Sequence, residues 1–450
     1  MDTHGEKTGI FARKGLWIGV GTCIFILIAF ILPTPQSLIE VMEKYGYVQK
    51  MIDWEIAHDV QGAAAKTMIV LWIVPLAVIF FAVEALPIGV TGILMPALAY
   101  FFGLLPFNMI GKTFAGDAPM FMLGVFALGA TVVEVGFHKR LAVWLLGWTK
   151  GFWVPMIVLC TSMSIVGSFM SAPAMCSFMV PVMMAVYYGS VKATSPEGEV
   201  VHDPALAKYL LFSLCFALNM GGPGTPSAGG RNVIMMGFFT EYGIPITYSG
   251  WMQYGWPLVP LGSMLLLLYM ATVFSKKIKT RDLSPGLEHI KKETRRMGKM
   301  KYPEYVTAGT LFLIVALWIF GGEATGLGGP ALLALIIPVL FRTVRFERII
   351  ERISFNAWFM YCGALTLGAL LKESGGALWL ATTFLNALAQ VGMDQGYGLW
   401  VGMSAFSGLV TNFMSDAATV ALIGPIVVPM GIMTQVTGEP WAIGMAVALA

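Results

Sequence analysis

The chain has 450 residues, of which 57% are hydrophobic and 12% charged, with a mean hydropathy of +0.76 and a formal net charge of +3. A soluble globular chain is about one-quarter charged, so there is too little charge here to coat two or three soluble domains, and the chain reads as an integral membrane protein rather than a disordered or fibrous one. So small a net charge gives no footing for nucleic acid, and no nucleic-acid partner is expected.

Apolar segments recur from end to end, so the lipid bilayer is met many times. At about 20 mostly apolar residues per crossing, the sequence predicts helices near 15–33, 67–83, 88–105, 119–137, 207–240 (interrupted), 251–274, 305–321, 326–341 and 355–372, with another opening at 440. Two further stretches, 152–189 and 397–433, are too long for one crossing, and each has a polar or proline break at its middle. Arg13 and Lys14 precede a first helix long enough to stay in the membrane, with no small-residue cleavage site. No cleavable signal is therefore read.

Lysine and arginine set the orientation. The strongest basic cluster runs through Lys276, Lys277, Lys279, Arg281, Lys291, Lys292, Arg295, Arg296, Lys299 and Lys301. By the positive-inside rule it is cytoplasmic. It reads as a topology signal in preference to a lipid-binding patch. Tracing outward puts Arg13 and Lys14, His138-Lys139-Arg140, and Arg342, Arg345, Arg348 and Arg352 on the same side. These agree only if 152–189 enters and leaves on the cytoplasmic face as a re-entrant hairpin. The mixed-charge stretch 34–66 then lies outside, with an interfacial helix. The expected location is the plasma (inner) membrane, multi-pass, with a cytoplasmic N-terminus.

Soluble enzymology finds little to stand on. His4, His58, His138, His202 and His289 lie outside the apolar runs and at no ligand spacing, so an intramembrane zinc protease lacks its ligands. Cys23, Cys160, Cys176, Cys215 and Cys362 are odd in number, with no CxxC, and read as buried thiols. No GxSxG elbow, P-loop or dinucleotide fingerprint occurs, and no nucleophile–base pair is visible. The chain is not expected to be an enzyme or to hold an organic cofactor.

An internal repeat emerges instead. Phe169-Met170-Ser171-Ala172-Pro173-Ala174 recurs as Phe413-Met414-Ser415-Asp416-Ala417-Ala418, each followed at the same distance by a proline, Pro181 and Pro425. Upstream, Leu128-Gly129-Ala130, Glu134 and Gly136 match Leu367-Gly368-Ala369, Glu373 and Gly375. By the charge topology the first copy starts outside and the second inside. The domains expected are an N-terminal helix with an extracellular segment (1–66), a first inverted repeat (67–274), a cytoplasmic basic linker (275–304) and a second inverted repeat (305–450). Inverted repeats with broken helices near the midplane mark secondary transporters. Non-helical backbone at membrane depth is costly unless it is buried in protein or lines a wet cavity, where an ion or substrate uses its free groups.

Three constellations carry that reading. At the first hairpin tip, Ser168, Ser171, Ala172 and Pro173 combine hydroxyls with freed carbonyls, which suits a hard cation; the alternative is a proline-kinked helix packing its serines internally. The run Gly221-Gly222-Pro223-Gly224-Thr225-Pro226-Ser227-Ala228-Gly229-Gly230-Arg231-Asn232 cannot hold a regular helix. The stretch after it reads as helical, so its first amides face the break and suit an anion. Arg231 adds a bidentate fork for carboxylate, sulfonate or sulfate; the alternatives are snorkelling or a structural ion pair. At the second tip stand Thr411, Asn412, Ser415, Asp416 and Thr419. An acid at membrane depth is a functional hypothesis by default, so Asp416 is read as a Na+ ligand or proton carrier. The alternative there is neutralisation by Arg231. Glu84, Asp117, Glu134 and Glu373 lie near predicted helix ends and read as capping or snorkelling.

These residues resemble the divalent anion/sodium symporter family, which includes dicarboxylate, citrate and sulfate carriers. The resemblance covers nearly the whole chain and rests on Glu84-Ala85-Leu86-Pro87, the two hairpin tips and the Gly221–Asn232 run. It implies an all-α polytopic membrane protein with an inverted-repeat ion-transporter fold, two re-entrant hairpins and discontinuous helices. It also implies a homodimer in which a mobile domain carries anion and Na+ together by an elevator motion, with H+ as the other candidate coupling ion. The first cation site would draw on Ser168, Ser171, Ala172, Gly222, Gly224 and Thr225. The second would draw on Thr411, Ser415, Asp416 and Ala417. A small anion would lie between the tips, against Ser171, Pro173, Thr225, Ser227, Arg231, Asn232, Ser415 and Ala417.

The chain departs from the family pattern at these motifs. Where the family has Ser-Asn-Thr, it has Ser171-Ala172-Pro173 and Ser415-Asp416-Ala417. The first cation site loses a side-chain oxygen and the second gains a carboxylate. Arg231 stands ready to replace substrate contacts once made by amides and hydroxyls. The expected cargo is a di- or tricarboxylate, sulfate or an organosulfonate, and the alternative function is a cation/proton antiporter centred on Asp416. Residues 441–450 span about 15 Å as helix, short of a bilayer of about 30 Å, so truncation and impaired transport are also expectations.

Overall fold

The structure, a computed structural model, describes residues 14–138, 140, 144, 148–170, 172–195, 201–296, 298–434 and 441–449. Among these the regular elements are helices, with no strand. Lys14–Ile31, Val60–Ala82, Tyr302–Phe320 and Asp416–Thr434 are each long and apolar enough to cross a bilayer, as are the runs Phe107–Val135 and Tyr248–Lys277. Phe346–Arg352 and Phe355–Glu373 are together long and apolar enough for a further, broken span. The chain is an all-α polytopic membrane protein. Ile88–Phe102, Trp153–Gly167, Pro204–Met220, Gly328–Leu340 and Gly376–Ala389 are apolar but shorter. At 1.5 Å per residue none of them reaches about 30 Å.

Helices end where the sequence puts its breakers. The stretch 152–189 resolves into Trp153–Gly167 and Ala172–Thr194, and 397–433 into Gly396–Val410 and Asp416–Thr434. The long segment 207–240 becomes Pro204–Met220 and Gly230–Glu241, separated by turns and one 3-10 turn at Pro226–Ala228. One helix escapes the hydropathy reading. Gly376–Ala389 carries Thr382 and Thr383, which dilute its apolar run. Both hydroxyls bond back along the helix, donating to Leu378 O and Trp379 O at 2.8 Å. A helix absorbs such groups into its own carbonyls, so it forms without looking like a membrane crossing.

The chain divides into two compact units. The first takes residues 14–119, 230–246 and 354–449; the second takes 120–229 and 247–353, over the described residues. Each draws on both sequence copies, so spatial units and repeat boundaries are different divisions of the chain. In the first unit, Phe355–Glu373 is the central helix, buried from Met360 to Leu371. It packs on Ile88–Phe102, Gly230–Glu241 and Asp416–Thr434. The first contact is close because Gly92 faces Gly363, where a β-carbon would lie 2.1 Å from the Gly92 carbonyl oxygen. Small residues serve this purpose in membranes, where lipid already satisfies apolar surface and close packing drives association.

In the second unit, Trp153–Gly167, Pro204–Met220 and Leu258–Phe274 pack on one another. Ala172–Thr194 lies on Pro204–Met220 over a core rich in methionine, including Met163, Met175, Met179 and Met183. Unbranched thioether side chains fill irregular gaps between helices. The Tyr248 and Trp318 rings stack at 5.0 Å, with Phe121 edge-on to Trp318.

Candidate functional site

In the second unit, the first tip and the glycine run are knitted together. Ser164 Oγ shares its one proton between Cys160 O in its own helix and Ala217 O across from it, both at 2.8 Å. One turn on, Ser168 Oγ does the same to Ser164 O and Gly221 O at 3.0 Å. Each serine thus ties Trp153–Gly167 to Pro204–Met220. Gly221 is required at this crossing, since a β-carbon there would sit 2.3 Å from Ser164 O. Thr225 Oγ1 donates back to Ser168 O, and lies 3.0 Å from Ser227 Oγ, itself 2.8 Å from Tyr248 Oη. Trp251 Nε1 donates to Pro223 O at 3.0 Å. Ser168, Thr225 and Ser227 are all buried. Their donated protons leave oxygen lone pairs that still accept a cation.

Of the other residues read for this site, Gly222 and Gly224 lie in the turns after Met220, with Gly224 against Ser168. Ser171 lies outside the described residues. Pro173 is in the first turn of Ala172–Thr194, and its side chain is not described. Tyr248 and Trp251, which close the hydroxyl chain and hold Pro223, had not been singled out. Their only signal is an aromatic pair in the segment following the run.

In the first unit, two helices begin at one place. Gly230–Glu241 packs on Asp416–Thr434, and Arg231 lies in the first turn of one while Asp416 opens the other. Arg231 Nη1 donates to Asp416 Oδ2 at 3.3 Å. The pair is lopsided: 14% of the Arg231 side chain is exposed against 60% of Asp416. Ser415 caps Asp416–Thr434 by accepting from Ala418 N at 3.3 Å, and is exposed. An acid in the first turn is favoured by the helix dipole and by the guanidinium together. Asn232 is fully buried, and Tyr361 fills the space that a β-carbon on Gly230 would occupy. Ala417 is half-buried beside Asp416.

Thr411 and Asn412 turn away from the acid. Thr411 Oγ1 and Asn412 Nδ2 both donate to Gly408 O, at 2.9 and 2.7 Å. Thr419 lies one turn into the helix with its hydroxyl fully buried and no hydrogen-bond partner among the described residues. A cavity of about 450 Å³ opens at this tip, lined by Asn412, Phe413, Met414 and Ser415 together with Lys14 and Glu84. Glu84 holds a left-handed φ of 47°. The repeat-related acids are both paired: Glu134 with Arg352 at 2.7 Å, and Glu373 with Lys50. Among the described residues no cluster of three or more His, Cys, Asp or Glu is placed to hold a metal.

Comparison with known proteins bears on this arrangement. Residues 78–450 match the citrate transporter family, CitMHS. A Caenorhabditis elegans protein named sodium-dependent high-affinity dicarboxylate transporter 3 is 23% identical over 396 residues, covering 78% of this chain and 68% of that one. The Staphylococcus aureus sodium-dependent dicarboxylate transporter SdcS is 24% identical over 391 residues, covering 82% and 73%. An uncharacterized transporter of Haemophilus influenzae is 24% identical over 383 residues, covering 81% and 77%.

Proposed function

This chain belongs to the citrate transporter family and is a secondary anion transporter rather than an enzyme, and we propose from that premise that it carries a dicarboxylate together with Na+, using Arg231 and Asp416 as the exchangeable pair. The Arg231–Asp416 contact is the observation that carries the reading. A largely buried guanidinium, set among the first amides of two helices, is an anion site. Its partner within the protein is the exposed carboxylate of Asp416.

Coupling follows from that substitution. A cation at Asp416 draws the carboxylate's charge away from Arg231. The freed fork then accepts a substrate carboxylate in its place. Ser415 and Thr419 add hydroxyl oxygens on the same helix, which suits Na+. Without the cation, Asp416 competes with the substrate for one guanidinium. Without the substrate, the cation leaves a guanidinium unpaired at low exposure. Each ligand therefore favours the other, and linkage requires the effect to be reciprocal.

Two features support Na+ and dicarboxylate in this reading: the names of the relatives, and the acid gained where the family motif has asparagine. Sulfate or an organosulfonate would engage the same fork. A proton on Asp416 would release Arg231 as Na+ does, and the high exposure of Asp416 favours keeping H+ as the second reading. An antiporter without an organic substrate would leave Arg231 as a structural partner only. Alternating access of the elevator type, in a homodimer of the plasma membrane with a cytoplasmic N-terminus, completes the proposal on the strength of the family resemblance and the lysine and arginine pattern.

The deciding experiment is uptake of radiolabelled succinate into proteoliposomes under separately imposed Na+ and proton gradients. Uptake driven by Na+ and abolished in Arg231→Ala is expected. Uptake indifferent to both gradients would overturn coupled transport. Uptake driven by the proton gradient alone would replace Na+ by H+.

A further inference from the structure

The strongest feature that the transport reading leaves unused lies in the second unit, where the basic linker meets the start of Trp153–Gly167. The linker's helix, Ser284–Arg296, buries Leu287 and the preceding Leu283 in the methionine-rich core. It packs on Ala172–Thr194 so closely that a β-carbon on Gly286 would lie 2.1 Å from Val186 O. Two hydrogen bonds then clamp its first residues to the chain before Trp153: Gly151 N donates to Ser284 Oγ at 2.9 Å, and Leu283 N to Gly151 O at 3.1 Å. A Ser284 N to Asp282 Oδ1 bond at 3.0 Å fixes the turn.

Beside this anchoring lies an open cavity of about 430 Å³. Lys150 lines it from the Trp153–Gly167 side, and Lys291 and Lys292 from the linker helix, against Glu288, the one acid among its described lining residues, with Trp148 and Ser284 on the wall. All three lysines are exposed at their ends. Trp144, Trp148 and Trp153, in and just before the first turn of Trp153–Gly167 in sequence, are all exposed, and Trp148 lines the cavity. Tryptophans at a helix end sit at headgroup level, where their rings are half in apolar and half in polar surroundings. A solvated topology signal needs lysines in sequence only. Here residues far apart in the chain are brought by a rigid clamp around one concave, cationic space.

We propose that this cavity binds a phosphate oxyanion, supplied by the headgroup of an acidic phospholipid. Three ammonium groups around one cavity suit a phosphate with net negative charge, and Ser284 offers a hydroxyl. The adjacent tryptophans set the depth at which a lipid phosphate arrives. Basic pockets beside membrane helices take acidic headgroups for these reasons. Inorganic phosphate shares the chemistry but gains nothing from the tryptophan-flanked depth.

The test is a thermal-unfolding comparison of the full chain in nanodiscs of phosphatidylcholine with and without phosphatidylglycerol, and in detergent with and without millimolar inorganic phosphate. A ligand that prefers the folded state raises the apparent Tm. Phosphatidylglycerol is expected to raise it by several degrees, and the triple variant Lys150→Gln, Lys291→Gln, Lys292→Gln should lose most of that rise. The charge-matched control Lys276→Gln, Lys277→Gln, Lys279→Gln should keep it. An equal loss in both triple variants would overturn the pocket in favour of diffuse attraction. A rise unchanged by either triple variant, or no rise with either phosphatidylglycerol or inorganic phosphate, would overturn the pocket outright. A rise with inorganic phosphate that the pocket variant abolishes, without one for the lipid, would overturn the lipid as source.

Discussion

The two serine-bearing breaks, Phe169-Met170-Ser171 and Phe413-Met414-Ser415, match in sequence and differ in physical character. Around Ser168 the polar groups are buried and committed. Ser164, Ser168, Thr225 and Ser227 form a continuous set of hydrogen bonds to carbonyls and hydroxyls of the neighbouring turns. Around Ser415, Asn412 and Asp416 are exposed too, and a single 3.3 Å bond joins a buried guanidinium to the exposed carboxylate. The same broken-helix device thus gives a lock in one region and an exchangeable charge in the other. A lock gains from having every donor satisfied, whereas a coupling site must hold its internal partner weakly enough to release it.

The sharpest way to break that contrast is at Arg231. Arg231→Ala removes the buried cation and should weaken anion binding by about 100-fold, the equivalent of roughly 3 kcal/mol. Arg231→Lys keeps the charge without the fork and should recover only part of it. Equilibrium binding of radiolabelled succinate to purified protein measures both. Full affinity in Arg231→Ala would leave Arg231 a structural residue.

Asp416→Asn comes next. It removes the internal competitor, so succinate should bind without Na+ at close to the affinity that the native chain reaches with it. The stimulation by Na+ should fall by about tenfold, near the middle of the usual range of coupling energies. Titrating succinate at several Na+ concentrations gives the comparison. Undiminished stimulation in the variant would move the cation away from Asp416.

At the locked tip the expected effect is on stability. Ser168→Ala removes a hydroxyl hydrogen bond from Ser164 O and Gly221 O, which keep the amide donors of Ser168 and Gly224, so it costs about 0.5–1.5 kcal/mol. It should lower the Tm and leave the ratio of uptake with and without Na+ unchanged. A changed ratio with an unchanged Tm would reverse the roles assigned to the two tips.

Much of this contrast was legible before the structure, and the residues say why. Breaks at 168–171, 221–229 and 411–415 follow from glycine, proline and serine in otherwise apolar runs, because the backbone rules that forbid a helix there are local. Arg231 and Asp416 stood out because charge is rare in such segments. That they touch was only an alternative, since 185 positions separate them and pairing is a tertiary fact. Which carbonyl receives each serine proton was invisible for the same reason. Ser168 reads identically whether its hydroxyl faces Gly221 or an ion. In the sequence Glu134 and Glu373 read as helix-end groups, whereas their partners Arg352 and Lys50 come from remote segments. The helix Gly376–Ala389 stays hidden in the sequence because Thr382 and Thr383 interrupt its apolar run, and that their hydroxyls return to its own carbonyls is visible only in three dimensions.

The smallest expected effect is the most discriminating for the exchangeable tip. Thr419 is fully buried with its hydroxyl unpartnered among the described residues, although its amide bonds Ser415 O at 2.9 Å. A buried hydroxyl without a partner costs about 1–3 kcal/mol, and replacing it by an apolar group of the same shape is close to neutral or stabilising. Thr419→Val keeps the shape. If the hydroxyl serves a cation at Asp416, the variant should be no less stable than the native chain without Na+. It should then gain less from added Na+, by about 1 kcal/mol for one lost oxygen ligand among several. Paired Tm measurements across a Na+ series separate the two effects. A parallel shift at every Na+ concentration would make Thr419 a packing residue and confine the cation to Asp416 and the capping turn.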